Sequence, residues 1–252
     1  MIRGLLPVLV LLTGWQLIGD RASVTLPPPA AWYDALAGLH RAGELWPAVG
    51  STFLTYVLAL LCAMVAGTTL GVLLGAAPAA DRLLTPTLDV AATLPGAAVV
   101  PVLILLLGTG RLTSVALVAL TVVWPILHGT TAAVRGIPPT RIDAAATLGL
   151  RAYRRWTRVL LPSVVPQLFV ALRVASAVTL IVTLLTDILG TGTGVGRLLV
   201  VSQQRFDAAA CWGLLLVVGT IGCLASATLA QVDARLARRR GDAHRRDGKH
   251  FG

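Results

Sequence analysis

Long apolar segments dominate this chain and limit what it can fold into. Residues 48–76, 112–134 and 208–232 contain no Asp, Glu, Lys or Arg. Each is longer than the roughly 20 residues that a helix needs to cross the hydrocarbon core of a bilayer. Charged residues make up only 13% of the chain, whereas soluble domains carry about 25%. The sequence therefore predicts an all-α, polytopic membrane protein.

About six transmembrane helices fit along the chain. The first is expected in residues 1–19 and an external loop in residues 20–47, where three consecutive prolines favour an extended backbone. A cleaved signal peptide is the alternative for the first segment, but its apolar part is long and no A-x-A site follows, so we expect an uncleaved span. The other spans are expected at 48–76, 83–107, 112–134, 163–189 and 208–232.

Two of these spans carry patterns that indicate how they pack. Gly67, Gly71 and Gly75 lie on one face of the second span, which favours close approach of another helix. Pro95 and other prolines interrupt the third span. Such breaks are tolerated in a membrane only against protein or a water-filled cavity, which makes Pro95 a candidate pathway residue.

The basic residues are concentrated in two places. Of the 21 Lys and Arg residues, six lie between positions 135 and 158 and seven between positions 235 and 249. Because Lys and Arg collect on the cytoplasmic side, we expect both termini and the long basic loop in the cytoplasm. Residues 235–252 are expected to form a basic, disordered tail. Nucleic-acid binding is disfavoured, since aromatic residues do not alternate with the basic ones.

The most informative stretch is the loop at residues 138–162 between the fourth and fifth spans. Its first part is rich in alanine and is expected to be a short helix that stops near Gly149. A second short helix, about 152–161, carries three arginines beside two aromatic residues, with Arg151 just before it, and Pro162 leads into the next span. This arrangement presents a small apolar knob beside a basic surface. An amphipathic helix held by anionic lipid is the alternative interpretation.

The loop resembles the EAA loop of binding-protein-dependent ABC importer permeases. That motif is Glu-Ala-Ala, three residues, Gly, nine residues, Ile, any residue and Leu-Pro. This sequence has Asp for Glu and Val for Ile, with every gap retained. The matching residues are Asp143, Ala144, Ala145, Gly149, Val159, Leu161 and Pro162. The interrupted third span and the glycine-rich turn at 190–196 are similar to those of the nitrate, sulfonate and taurine branch.

The resemblance implies a fold, a function and a set of partners. The fold would be that of a type I ABC importer permease, with residues 48–234 as its core domain. The chain would form the pathway for a small solute, such as nitrate, a sulfonate, taurine or a vitamin precursor, in a bacterial inner membrane. Its partners would be two cytoplasmic ATP-binding cassette subunits, a second permease copy or paralogue, and an extracytoplasmic solute-binding protein.

ATP hydrolysis would belong to the partner subunits, because the phosphate-binding motif G-x-x-x-x-G-K-[ST] is absent from this chain. The chain is thus not expected to be an enzyme, nor to hold a cofactor. The three cysteines lie far apart without histidines at metal-ligand spacing, and we expect no metal site.

Ionisable residues inside membrane spans indicate function because they are costly to bury in lipid. Arg173 is the deepest candidate, and Asp187 and Asp89 lie nearer to the ends of their spans. For Arg173 and Asp187, a place in the pathway and structural pairing both remain open. An ion-coupled secondary transporter or another channel subunit is the alternative function, but it would require several buried carboxylates.

Overall fold

The computed structural model describes residues 2–20, 23, 25–147, 154, 161–190 and 192–248. This part of the chain contains helices and no strands, which confirms the all-α prediction. The helices are α1 (Ile2–Ile18), α2 (Pro29–Arg41), α3 (Leu45–Ala76), α4 (Pro78–Ala92), α5 (Gly96–Leu107), α6 (Arg111–Arg135), α7 (Pro139–Thr147), α8 (Leu161–Ile188), α9 (Val195–Gln204) and α10 (Ala208–Gly248).

Four of these helices are long and apolar enough to cross a membrane: α3, α6, α8 and the part of α10 up to Arg235. They correspond to the second, fourth, fifth and sixth predicted spans. The first predicted span, α1, has 17 residues. The third is divided into α4 and α5 by a turn at residues 93–95. The described residues thus contain four continuous spans where about six were expected.

The centre of the fold is a bundle of α3, α6 and α8. Five of its residues belong to one buried cluster. They are Ala59 and Ala63 of α3, Val118 and Ile126 of α6, and Ala175 of α8. Small residues on α3 allow the bulkier side chains of α6 to fill the space between the two helix axes. The bundle is therefore held by close packing, as expected where lipid supplies no hydrophobic driving force.

The three glycines of α3 form a seam against α6, as the sequence predicts. A Cβ added to Gly67 would lie 2.9 Å from Ile126, and one added to Gly71 would lie 2.6 Å from the Cβ of Thr130. A Cβ at Gly75 would likewise lie 2.6 Å from the Cβ of Val134. The contacted residues on α6 also recur every four positions, so the two helices stay in register over two turns.

The break in the third span lets α5 lie against α6. Pro95 has φ −67° and ψ 122° and caps the N-terminus of α5. Immediately after it, Gly96 contacts the side chain of Thr121 so closely that a Cβ would overlap the threonine hydroxyl. Pro125, in contrast, does not interrupt α6, which runs continuously from Arg111 to Arg135. The third span is thus the one where proline changes the path of the chain.

Two sequence-based expectations outside the bundle are wrong. The region expected as an external loop contains α2, because Pro28 is extended but Pro29 already starts the helix, where its missing N–H costs nothing. The basic tail is helical as far as Gly248, because α10 continues beyond the apolar segment.

A cluster of three tryptophans joins the first helix to the last one. Trp15 of α1 makes edge contacts with Trp32 of α2, at 5.0 Å between ring centroids, and with Trp212 of α10, at 4.7 Å. The indole N–H groups of Trp32 and Trp212 donate to the backbone carbonyls of Pro27 and Thr25. Trp32 is thus buried within the protein.

We predict that Gly71→Ala destabilises the protein, because its added methyl group has no room against Thr130 and the carbonyl of Leu127. Overpacking of this kind costs about 1–3 kcal/mol. Gly50→Ala in the same helix is the matched control, since no atom lies within 4 Å of a Cβ at that position. Thermal unfolding in detergent should show a lower midpoint for Gly71→Ala only. Equal midpoints for the two variants would contradict the seam.

Candidate functional site

The loop with the EAA-like motif begins with helix α7, between α6 and α8. Asp143 and Ala144 are exposed on this helix, whereas Ala145 is buried, with 4% of its surface accessible. The hydroxyl of Thr147 donates to the carbonyls of Asp143 and Ala144 and helps to close the last turn. On α7, therefore, the first two motif residues are free to meet a partner and the third is not.

The remaining motif residues divide into two groups. Leu161 and Pro162 form the first turn of α8 and are exposed. Gly149, Val159 and the second short helix expected at about 152–161 lie outside the described residues, apart from Arg154 and Leu161. The described parts of the motif thus present exposed side chains at both ends of the loop.

A small apolar cluster fixes the base of this loop. Val134 of α6 and Ile137 just after it are buried against Val164 of α8, and Val72 of α3 packs on the same cluster. These contacts tie the two ends of the loop to the bundle. A shift of α6 against α8 would consequently move α7 as well.

An ion pair lies beside the cluster. The guanidinium of Arg135, in the last turn of α6, pairs with the carboxylate of Asp81, in the first turn of α4. Thr85 donates a further hydrogen bond of 2.6 Å to Asp81. The start of α4 is thereby linked to the residue that leads into the loop.

A second polar site surrounds Asp187 at the C-terminal end of α8. The carboxylate is buried, with 2% exposure. The hydroxyl of Thr52 on α3 donates to it at 2.9 Å, and the backbone N–H groups of Gly194 and Gly196 donate to it as well. Asp187 therefore occupies the N-terminus of α9, where free N–H groups and the helix dipole favour a negative charge.

The glycine-rich turn is shaped to hold this carboxylate. A Cβ at Gly192 or Gly194 would overlap the carboxylate oxygens of Asp187, and one at Gly196 would lie 2.6 Å from its Cβ. The backbone can approach the carboxylate only because these positions have no side chain. The spacing of the glycines is thus explained by an acidic residue of the chain itself.

Thr52 is the residue of this site that sequence reasoning missed. Its hydroxyl donates to Asp187 and accepts a 2.8 Å hydrogen bond from the N–H of Val195. Next to it, Ser51 bonds to Thr193 at 2.9 Å. The adjacent hydroxyl residues Ser51 and Thr52 near the start of this charge-free span were the available signal. The contacts favour structural pairing for Asp187 and join α3, α8 and α9.

Arg173 lies near the middle of α8 and is exposed. Among the residues that the structure describes, no carboxylate pairs with it. Pro95 is also exposed, at the break between α4 and α5. The structure does not bring Arg173, Asp187 and Pro95 together into one site. Asp187 is 14 residues further along α8, about 21 Å at 1.5 Å per residue.

A groove of about 280 Å³ opens between α6 and α8. Its walls are formed by small residues, including Gly129 and Ala132 of α6, and by Gln167 and Val174 of α8. The groove is open to one side and exposes apolar side chains next to a single amide. No cluster of His, Cys, Asp or Glu suited to a metal ion is found within the described ranges.

Comparison with known proteins identifies similar chains. Residues 67–240 match the family described as "Binding-protein-dependent transport system inner membrane component". The chain is 23% identical to the aliphatic sulfonates transport permease protein SsuC of Bacillus subtilis, over 93% of this chain and 86% of that protein. It is 27% identical to the bicarbonate transport system permease protein CmpB of a Synechocystis strain, over 94% and 88% of the two chains.

Other similar proteins extend the comparison. The taurine transport system permease protein TauC of Escherichia coli is 24% identical, over 90% of this chain and 86% of its own length. A chain of the MetNI methionine ABC transporter in an inward-facing conformation superposes with a TM-score of 0.68 and 17% identity. That superposition covers 77% of this chain and 97% of the other, and supports a shared fold.

We predict that Asp187→Asn lowers the stability of the protein. An amide group would replace one carboxylate oxygen and leave a buried N–H donor without an acceptor, which costs about 1–3 kcal/mol. Asp207→Asn is the matched control, because Asp207 is an exposed residue that accepts from the N–H of Ala210 in the first turn of α10. Asparagine serves this capping role about equally well.

Thermal unfolding and solute transport should be measured for both variants. If these hydrogen bonds hold Asp187 in place, the unfolding midpoint is lower for Asp187→Asn and unchanged for Asp207→Asn. If Asp187→Asn unfolds like the parent chain but has lost transport, Asp187 acts in the pathway and its structural role is refuted.

Proposed function

Because this chain belongs to the family of binding-protein-dependent transport system inner membrane components, we propose that it forms half of a solute pathway driven by separate ATPase subunits. The chain is the membrane permease subunit of an ATP-driven importer and a multi-pass protein of the inner membrane. Its relatives place it in the nitrate, sulfonate and taurine branch of ABC importer permeases.

The loop at residues 138–162 is proposed as the contact with the ATPase. The observation that carries this proposal is the exposure of Asp143 and Ala144 on α7, within a loop that is packed at its base against the bundle. Partner residues can reach these two positions without unfolding the chain. Because Val134 and Val164 anchor the loop, movement of the ATPase would be passed to α6 and α8. Gly149, Leu161 and Pro162 belong to the same proposed surface.

The proposed assembly has two ATP-binding cassette subunits, two permeases and an extracytoplasmic solute-binding protein. ATP hydrolysis is assigned to the cassette subunits, and the permease is proposed to have no catalytic activity of its own. The names of the relatives, which refer to aliphatic sulfonates, bicarbonate and taurine, support a small polar solute. Small oxyanions are the class of solute that we favour.

We further propose that α1 and the pair α4–α5 provide the two crossings beyond the four continuous spans. This gives six crossings, with residues 1–19 as the first, 20–47 as an external region and 48–234 as the permease core. Arg82, the basic loop and the tail at 235–252 then share the cytoplasmic side. The distribution of Lys and Arg supports this orientation.

The docking surface is tested with Ala144→Leu. A larger side chain at this exposed position should disturb a fitted contact by about 1–3 kcal/mol while leaving the fold of the permease intact. Ala79→Leu, at an exposed alanine of α4, is the matched control. Ala145 is unsuitable for this purpose, since it is buried within the chain.

The measurements are co-purification of the cassette subunit with tagged permease, and solute uptake. We expect Ala144→Leu to lose most of both while its unfolding midpoint is kept, and Ala79→Leu to retain both. Full uptake and normal co-purification of Ala144→Leu would refute the assignment of this loop.

The orientation is tested by cysteine labelling in a chain without its three native cysteines. Single cysteines at Ser23, Thr147 and Ala243 are treated with an impermeant maleimide outside intact cells. We expect only the cysteine at position 23 to react. Labelling at position 147 in sealed cells would place α7 outside, where no ATPase can reach it. Permeabilised cells, in which all three positions should react, provide the control.

A further inference from the structure

Two charged side chains of opposite sign are exposed on the apolar surface of the membrane helices. Asp89 lies on α4 next to Val90, which is 69% exposed. Arg173 lies on α8 between Val170 and Val174, which are 61% and 55% exposed. Neither charge has an ion-pair partner among the described residues of this chain. Both therefore stand in apolar surroundings without compensation.

Contacts with α6 show that the two charges lie at the same depth. Arg135 of α6 pairs with Asp81 of α4, and from this pair Asp89 is eight residues along α4. Leu127 is eight residues back along α6 from Arg135, so both lie about 12 Å from the pair at 1.5 Å per residue. Leu88, the neighbour of Asp89, lines the same cavity as Leu127, which supports this estimate.

The depth of Arg173 follows from the packing of α6 on α8. A Cβ added to Gly129 would lie 2.6 Å from the Cβ of Ala171, so these residues face each other. The two helices run in opposite directions, and Arg173 therefore lies at the level of Leu127. This is also the level of Asp89, and it falls within the hydrocarbon core if the Arg135–Asp81 pair lies at the membrane interface.

Neither side chain can be left facing lipid. Charged residues inside a bilayer are found facing protein or water, paired with each other or with carbonyl groups. The surfaces that carry them also need a cover. Helix α4 has no buried residue, and α8 exposes a stripe of apolar residues around Arg173. A partner that covers both surfaces and supplies the opposite charge to each would satisfy all of these requirements.

We propose that Asp89 of one copy of this chain forms an ion pair with Arg173 of a second copy, inside the membrane. In a two-fold symmetric dimer the same contact occurs twice, because each surface meets the other one. The carboxylate accepts hydrogen bonds from the guanidinium, which favours such planar pairs. This inference rests on the proposed function only in that it takes the second permease to be another copy of this chain.

The first test is cross-linking in membranes. Two differently tagged copies without native cysteines carry Asp89→Cys and Arg173→Cys, respectively, and are treated with a short bifunctional thiol reagent. We expect a covalent product with both tags. Thr228→Cys, paired with Arg173→Cys, is the matched control. Thr228 is exposed on α10 at a similar depth, because Gly222 packs on Leu180.

The second test is reversal of the charges. Asp89→Arg and Arg173→Asp should each reduce solute uptake at least tenfold, and the double variant should recover to within about threefold of the parent chain. Glu44→Arg, at an exposed charge outside the spans, should be neutral. Failure of the double variant to recover, together with the absence of a product with both tags, would overturn the proposal. So would retained activity of both single variants.

The two readouts separate this inference from the proposed function. Cross-linking needs neither ATP nor solute. If the product with both tags forms but no solute is transported, the pair stands and the proposed function fails. If transport is normal and depends on the cassette subunit, but only products with a single tag form, the proposed function stands and the pair is refuted. Uptake that keeps its maximum rate but shows a raised KM in Arg173→Lys would assign Arg173 to the solute instead.

Discussion

The glycine seam between α3 and α6 is the contact on which the rest of the bundle depends. Gly67, Gly71 and Gly75 remove the side chains that would keep the two helices apart, and the side chains of α6 fill the space. In lipid, where apolar surface gains little by leaving its solvent, such close packing supplies much of the attraction between helices. Helix α8 packs on the pair that results, and the loop containing α7 is anchored where α3, α6 and α8 meet.

Polar groups inside this bundle are satisfied by contacts between distant helices. Asp187 is held by a hydroxyl from α3 and by backbone N–H groups at the start of α9, so its charge is surrounded by donors. Tyr56 of α3 and Ser176 of α8 form a further hydrogen bond of 2.7 Å. These contacts fix the orientation of α8 relative to α3. The same bundle leaves Asp89 and Arg173 exposed without ion-pair partners among the described residues. The completed assembly must therefore supply an opposite charge to each of them.

Some features could be predicted from the sequence because they depend on local pattern alone. The charge-free stretches are longer than the roughly 20 residues needed to cross a bilayer, and this length alone identifies α3, α6 and most of α10 as membrane helices. Three glycines four residues apart fall on one helical face whatever helix they meet. Residues 143–162 carry the spacing of the EAA-like motif, which is read directly from the order of residues.

Other features were decided only by the tertiary structure, because they depend on residues that are far apart in the chain. Thr52 and Asp187 are separated by 135 positions, and no local pattern indicates that they meet. Ala144 and Ala145 are the same residue type in the same helix, yet one is exposed and the other buried, since burial depends on the side from which α7 packs. The sequence determined which segments enter the membrane; the packing of those segments decided which polar groups are paired within the chain and which remain for a partner.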